Sequence, residues 1–115
     1  MASQPLEASP RVDRLLIDLR AALTEMQEDP ANPVPAYNSG VIYGQWGDHA
    51  SAAKSYRIAV ERDPSFFQGH YNLGTDYAEQ ALWLEAEAAY LQGIQYNAKD
   101  PEAWANLGGV YQKMN

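Results

Sequence analysis

Asn72-Leu73-Gly74-Thr75-Asp76-Tyr77 occurs three times in this chain, in kind if not in letter. Upstream it is Asn38-Ser39-Gly40-Val41-Ile42-Tyr43, and downstream it is Asn106-Leu107-Gly108-Gly109-Val110-Tyr111. Equivalent asparagines stand 34 residues apart in both intervals. A strict period of this size marks a solenoid, in which each unit buries its apolar face by stacking on the next. The expected fold class is all-α, an array of about six helices in antiparallel pairs.

Working outward, Ser65-Phe66-Phe67-Gln68 reads as a capping box that opens the helix holding the central copy, which runs to about Glu79. Before it, Asp63-Pro64 ends a helix with Ala52, Tyr56, Ala59 and Val60 on one side. Gly47-Asp48 makes the preceding turn, with Asp48 as the cap. The helix with the first copy begins near Asn32-Pro33, and Pro35 falls in its first turn, where the missing N–H is harmless. Further upstream, Val12, Leu15, Leu16, Leu19, Ala22, Leu23 and Met26 form one stripe of a helix opened by Ser9-Pro10 and stopped at Asp29-Pro30. Residues 1–9 are expected to be a flexible tail. Downstream, Gln80-Ala81-Leu82 must turn without a glycine. The fifth helix then runs from about Trp83 to Asn97 with Ala86, Ala89, Tyr90, Gly93 and Ile94 inward. Asp100-Pro101 opens a sixth helix, Glu102 to about Lys113, that has no partner helix after it.

Composition narrows the function classes. The chain has 115 residues, no cysteine and a formal net charge of −7. The length fits one domain. The missing cysteines remove disulfides and cysteine-ligated metals. The negative charge argues against nucleic acid and anionic membranes, which reward clustered Lys and Arg. A polycationic or neutral partner is easier to reconcile. No apolar run approaches the ~20 residues of a membrane span, and no signal peptide is visible. A cytoplasmic location is the resulting expectation.

These residues resemble the tetratricopeptide repeat family, whose pattern is Trp-x-x-Leu-Gly-x-x-Tyr on one helix, Ala-x-x-x-Phe on the next, and then Pro. The third copy has Trp104, Leu107, Gly108 and Tyr111. The second has His70, Leu73, Gly74 and Tyr77, then Ala86 and Tyr90. The first has Ala36, Ser39, Gly40 and Tyr43, then Ala52 and Tyr56, closing at Pro64. The departures at Ala36, Ser39 and His70 change bulk, not register, and Asp18 makes the helix before them a degenerate half repeat. The resemblance divides the chain into an N-terminal helix (10–32), two whole repeats (33–66 and 67–100) and the first helix of a third (101–115). It implies a right-handed superhelix with the first helix of each pair lining a concave groove. Within that packing, Gly40, Gly74 and Gly108 are expected to let two helix backbones approach, with Ala52 and Ala86 as their small partners. Tyr43, Tyr77 and Tyr111 would fill the space around them. Ala59 and Gly93 would touch the next repeat.

In this register the groove residues are Tyr37, Asn38, Val41 and Gln45; then Gln68, Tyr71, Asn72, Thr75 and Glu79; then Ala105, Asn106, Gly109, Gln112 and Lys113. Asn38, Asn72 and Asn106 form a ladder of amides, each able to donate and accept, which suits the backbone of an extended peptide. Here the chain resembles the repeat domain of O-linked N-acetylglucosamine transferase, whose asparagine ladder holds substrate peptides. Equally, the asparagines could bridge neighbouring helices. A further mode in the family is a Lys/Asn/Arg clamp on the carboxylate of a chaperone tail. Tyr37, Tyr71 and Ala105 replace its basic residues and Val41, Thr75 and Gly109 its asparagines, so an acidic chaperone tail is not the expected partner.

The expectation is a scaffold, not an enzyme, that binds a protein or peptide segment and uses no cofactor or metal. His49 and His70 are lone histidines outside any metal spacing, and His70 is expected as a half-buried packing residue. Trp46 and Trp83 are expected in the core. Two alternatives stand beside the scaffold. One is a homo-oligomer joined through the solenoid ends, where Ala103, Leu107, Val110, Tyr111 and Met114 would form an uncovered stripe. The other is the substrate-docking part of a larger enzyme.

Overall fold

The computed structural model describes residues 10–115, so the tail at 1–9 and the cap at Ser9 lie outside the described residues. The elements are α1 (Pro10–Glu28), α2 (Pro33–Gln45), α3 (His49–Arg62), α4 (Phe67–Glu79), α5 (Trp83–Tyr96) and α6 (Pro101–Met114). Each helix packs on its neighbours in sequence, and α4 also touches α6, giving an elongated α-solenoid of 54 × 37 × 20 Å.

Side chains open three of the helices. Asn32 Oδ1 accepts from Val34 N–H at 3.0 Å, Asp48 Oδ1 from Ser51 N–H at 3.1 Å and Asp100 Oδ1 from Glu102 N–H at 3.1 Å. Each bond satisfies a donor that the first helical turn leaves unpaired. The expected capping box at Ser65 does not form. The N-cap of α4 is Phe66, with no side-chain cap. Ser65 instead donates its hydroxyl to Asp63 Oδ1 at 2.7 Å and its N–H to the same oxygen at 3.1 Å. The nearby carboxylate is the stronger acceptor, so Ser65 is spent on the Asp63-Pro64 turn.

The two turns within the helix pairs close alike. Gly47 has φ +79°, and Ala81, 34 residues on, has φ +59°. Asp48 N–H reaches Tyr43 O at 3.0 Å, and Leu82 N–H reaches Tyr77 O at 2.9 Å. Ala81 therefore holds the left-handed conformation without being glycine, at about 1–2 kcal/mol.

The repeat glycines make room for rings, not backbones, which corrects the sequence expectation. A Cβ on Gly40 would lie 2.6 Å from the Tyr56 ring, and one on Gly74 would lie 2.9 Å from the Tyr90 ring. Ala52 and Ala86 are fully buried beside these contacts, while Gly108 meets nothing within 4 Å. Gly93 has its nearest neighbours within its own pair. It faces His70 Cβ and the Phe67 ring, at 3.4 and 3.5 Å, on α4 of its own pair. The tight approach between pairs is Gly69 against Val60 Cγ1, at 2.7 Å from a built Cβ.

Two buried clusters result. One joins Ala52, Ala53, Tyr56, Leu73 and Ala89, and the other joins Ala86, Tyr90, Ile94, Ala103, Leu107 and Val110. Tyr77 packs against both. Trp83 lies on the second cluster as expected, but Trp46, at the end of α2, is 42% exposed and is no core residue. The α6 stripe is also split. Ala103, Leu107 and Val110 are buried against α5, while Tyr111 and Met114 remain exposed together with Trp104. His70 is buried, 7% exposed, rather than half-buried. Its Nε2–H donates to Pro64 O at 2.7 Å, and Trp104 Nε1–H donates to Ala98 O at the same distance, one period later.

Candidate binding groove

The first helices α2, α4 and α6 carry equivalent residues on one face, and two clefts open along it. The cleft beside α1 and α2, about 620 Å³, is lined by Leu15, Asp18, Ala21, Ala22, Glu25, Tyr37, Asn38, Val41, Ile42 and Gln45. A second, about 370 Å³, is lined by Thr75, Ala78, Glu79, Trp83, Tyr90, Asn106, Gly109, Val110 and Lys113. Tyr37, Asn38, Val41 and Gln45 thus come together in the first cleft, and Thr75, Glu79, Asn106 and Lys113 in the second. Tyr71 and Asn72 line neither and are half-buried between the helix pairs, while Gln68 and Gln112 are exposed. A larger hollow of about 780 Å³ runs along α1 alone, so it is an open helix surface and not an enclosed site.

The asparagines do not form a free ladder. Asn72 Nδ2 donates to the Tyr37 hydroxyl at 3.1 Å, and Asn106 Nδ2 donates to the Tyr71 hydroxyl at 2.8 Å. Each bond spans 35 residues and joins one helix pair to the next. The ring of Tyr37 lies 5.5 Å from that of Tyr56, and the ring of Tyr71 lies 5.8 Å from that of Tyr90. A Tyr–Tyr–Asn unit therefore recurs at both junctions. Tyr71 passes its own hydroxyl proton to Glu102 Oε2 at 3.3 Å, and Tyr90 shares a hydrogen bond with Thr75 Oγ1 at 2.9 Å. Burial pushes the phenols of Tyr56 and Tyr90 above the ordinary tyrosine range, and the neighbouring amides Asn72 and Asn106 oppose that shift. Asn38 has no preceding tyrosine of this kind and is exposed.

What sequence reasoning missed is the contribution of α1. Leu15, Asp18, Ala21 and Glu25 enter the groove because α1 packs on α2, whereas in sequence Leu15 reads only as part of an apolar stripe and Asp18 only as a departure from the repeat. Glu102 was missed as well, although it lies one period after Gln68, which was assigned to the groove.

A second polar unit lies in the interior. His49 Nδ1 meets Asp76 Oδ1 at 2.6 Å, tying α3 to α4. Gln80 Nε2 donates to Asp76 O at 3.1 Å and His49 O at 3.3 Å. Burial raises the Asp76 carboxyl above the ordinary aspartate range, and the hydrogen bond and charge of His49 work against the shift. Among the described residues no group of three or more His, Cys, Asp or Glu side chains is placed to hold a metal ion. None of the described helices is long and apolar enough to cross a membrane.

Comparison with known proteins places this geometry. The tetratricopeptide repeat (TPR) family model matches residues 36–66. The chain is 32% identical over 89 residues to protein bimA of Emericella nidulans, covering 77% of this chain and 11% of that protein. It is 35% identical over 83 residues to tetratricopeptide repeat protein 8 of Caenorhabditis elegans, covering 72% of this chain and 16% of that one. The chain thus spans a small part of the length of either relative. Among solved structures, the first TPR of Spaghetti (RPAP3), bound to the HSP90 peptide SRMEEVD, superposes with a TM-score of 0.83 at 20% identity, over 90% of this chain and 82% of that one. MamA superposes with a TM-score of 0.79 at 26% identity, over 84% of this chain and 56% of that one. The second TPR domain of human RPAP3, in complex with the HSP70 peptide SGPTIEEVD, gives 0.77 at 17% identity, over 81% and 78%.

Proposed function

The chain is a tetratricopeptide repeat protein, and on that premise we propose that the face shared by α2, α4 and α6 binds an extended segment of a partner protein. The observation that carries the reading is the repeated Tyr–Asn bridge. It fixes the rings of Tyr37 and Tyr71 at successive junctions and ties each helix pair to the next along this face. Preorganised aromatic faces bind without first losing rotamer freedom. In this reading Asn38, Val41, Gln45, Gln68, Thr75, Glu79, Gln112 and Lys113 contact the segment directly, while Asn72 and Asn106 position the tyrosines. Two of the solved structures that share the fold hold chaperone peptides. Their fold supports a groove, but the residues at the carboxylate-clamp positions here are Tyr37, Tyr71 and Ala105, none of them cationic. We therefore assign the groove to segments other than acidic chaperone tails.

The test is selection of a random peptide library against the purified chain, followed by affinity measurements on the enriched peptides. Tyr71→Ala is expected to weaken binding by tenfold or more, the range of an anchor worth about 2 kcal/mol. Tyr71→Phe keeps the ring and should retain most of it. Unchanged affinity in Tyr71→Ala and Asn38→Ala, with helicity intact, would place binding elsewhere.

A further inference from the structure

The groove reading leaves the chemistry of the occupant open, and the inference drawn here rests on that reading. We infer that the groove takes an extended segment bearing Lys or Arg side chains, with one cation seated in the cleft between α1 and α2.

Three observations lead there. The first is the placement of charge. Asp18 and Glu25 line the α1–α2 cleft with no basic side chain in its wall, and Glu79 lines the second cleft with Lys113 its sole cation. Arg14 pairs with Asp18 from the rim at 3.2 Å, but both side chains are exposed, so the pair exchanges at little cost. Arg62, the basic residue that reaches α1 from α3, is committed to Met26 O and Asn32 O.

The second is the hydrogen-bond inventory. Asn72 and Asn106 direct their amide N–H groups to tyrosine hydroxyls, and Tyr71 directs its hydroxyl proton to Glu102. These groups commit donors to one another, while the carboxylates of Asp18, Glu25 and Glu79 in the cleft walls offer acceptors alone. Lys and Arg bring three and five donors and no acceptor, so they fit such a surface and an acidic segment does not. The third is the cleft wall beside the carboxylates. Leu15, Ala21 and Val41 offer carbon to an aliphatic stem whose charged head reaches Asp18 or Glu25.

The experiment measures fluorescence anisotropy of the full chain with three labelled 12-residue peptide pools. They share the same random apolar positions and carry Lys/Arg, Gln or Glu at every third position. The Lys/Arg pool is expected to bind tightest and to weaken as salt rises. Glu25→Gln and Glu79→Gln should each weaken it by about tenfold, the effect of losing a charge-assisted hydrogen bond. Glu61→Gln removes the same charge from the exposed side of α3 and should change nothing. Equal binding of the three pools would overturn the charge assignment and leave the groove reading standing. An equal loss in Glu61→Gln would also overturn it, since attraction to the net negative chain would then suffice. No binding of any pool would overturn both.

Discussion

Gly74 has room for a hydrogen and little more, because a Cβ there would lie 2.9 Å from the ring of Tyr90, itself only 2% exposed. The equivalent Gly108 has no side chain opposite it. The same motif should therefore answer the same substitution with opposite signs. Gly74→Ala is expected to destabilise the chain by about 1–3 kcal/mol, the cost of overpacking a closed core. Gly108→Ala should stabilise it by roughly 0.5–1 kcal/mol, since alanine is the better helix former. Urea unfolding of the two variants checks this, and a loss of stability in both would mean that the glycines serve the helix and not the ring. The position of these glycines was plain in the sequence, but their partner was not. Spacing alone pairs Gly74 with the small Ala86, whereas the fold brings in Tyr90 one turn later. His70 shows the same limit. It stands where the third copy has Trp104, and both rings donate to the carbonyl six residues before them. Two residue types share a role that only the turn geometry reveals.

At the scale of elements, the junction of α3 and α4 is the exception among three equivalent contacts. Asp76 is buried at the position that Ile42 and Val110 fill in the neighbouring pairs. His49 stands one period before Trp83 and one after Leu15. A polar pair has replaced an apolar one. Removing His49 strands a buried carboxylate, so His49→Leu should cost about 3 kcal/mol at neutral pH, the low end for such a loss because His49 is 32% exposed. The folded carboxyl of Asp76 sits above its unfolded value, so stability from its protonation is present in acid and lost as pH rises through the folded value. His49 opposes that shift, and its removal enlarges it. The cost of His49→Leu should then shrink toward pH 4. The double variant His49→Leu/Asp76→Ile, which copies the Leu15 and Ile42 pairing, is expected to match the parent or exceed it by about 1–4 kcal/mol. Thermal melts across pH decide the matter, and a double variant as unstable as His49→Leu would refute the account. Element boundaries were legible because prolines recur in phase with the repeat, Pro30 with Pro64 and Pro33 with Pro101. The start of α4 was not, because a local carboxylate, Asp63, took the serine that a capping box needs. Nor was the acidic wall of the groove, since Asp18 reads only as a departure from the repeat, and it and Glu25 gain their place only when α1 docks.

Across the whole molecule, stability should fall from the middle toward the ends. Neither buried cluster belongs to one helix pair: the first joins α3 to α4 and α5 with α2 side chains packed on it, and the second joins α5 to α6 with α4 side chains packed on it. Tyr77 touches both, so α3, α4 and α5 share their contacts and should open together. By contrast α1 buries only Leu19 and Ala22 along 19 residues, and the helix it packs against is α2. Arg62 of α3 donates to Met26 O on α1 at 3.2 Å and to Asn32 O, at the start of α2, at 3.0 Å. Amide hydrogen exchange is therefore expected to be fastest in α1, intermediate in α6 and slowest in α4, where opening requires loss of both clusters. Arg62→Ala should speed exchange in α1 while leaving α5 as it was. Because α1 supplies one wall of the larger groove cleft, the same variant should weaken a segment bound there without touching any residue that contacts it. Uniform protection along the chain would show instead that the solenoid unfolds as one unit, with α1 held by the rest as firmly as α4.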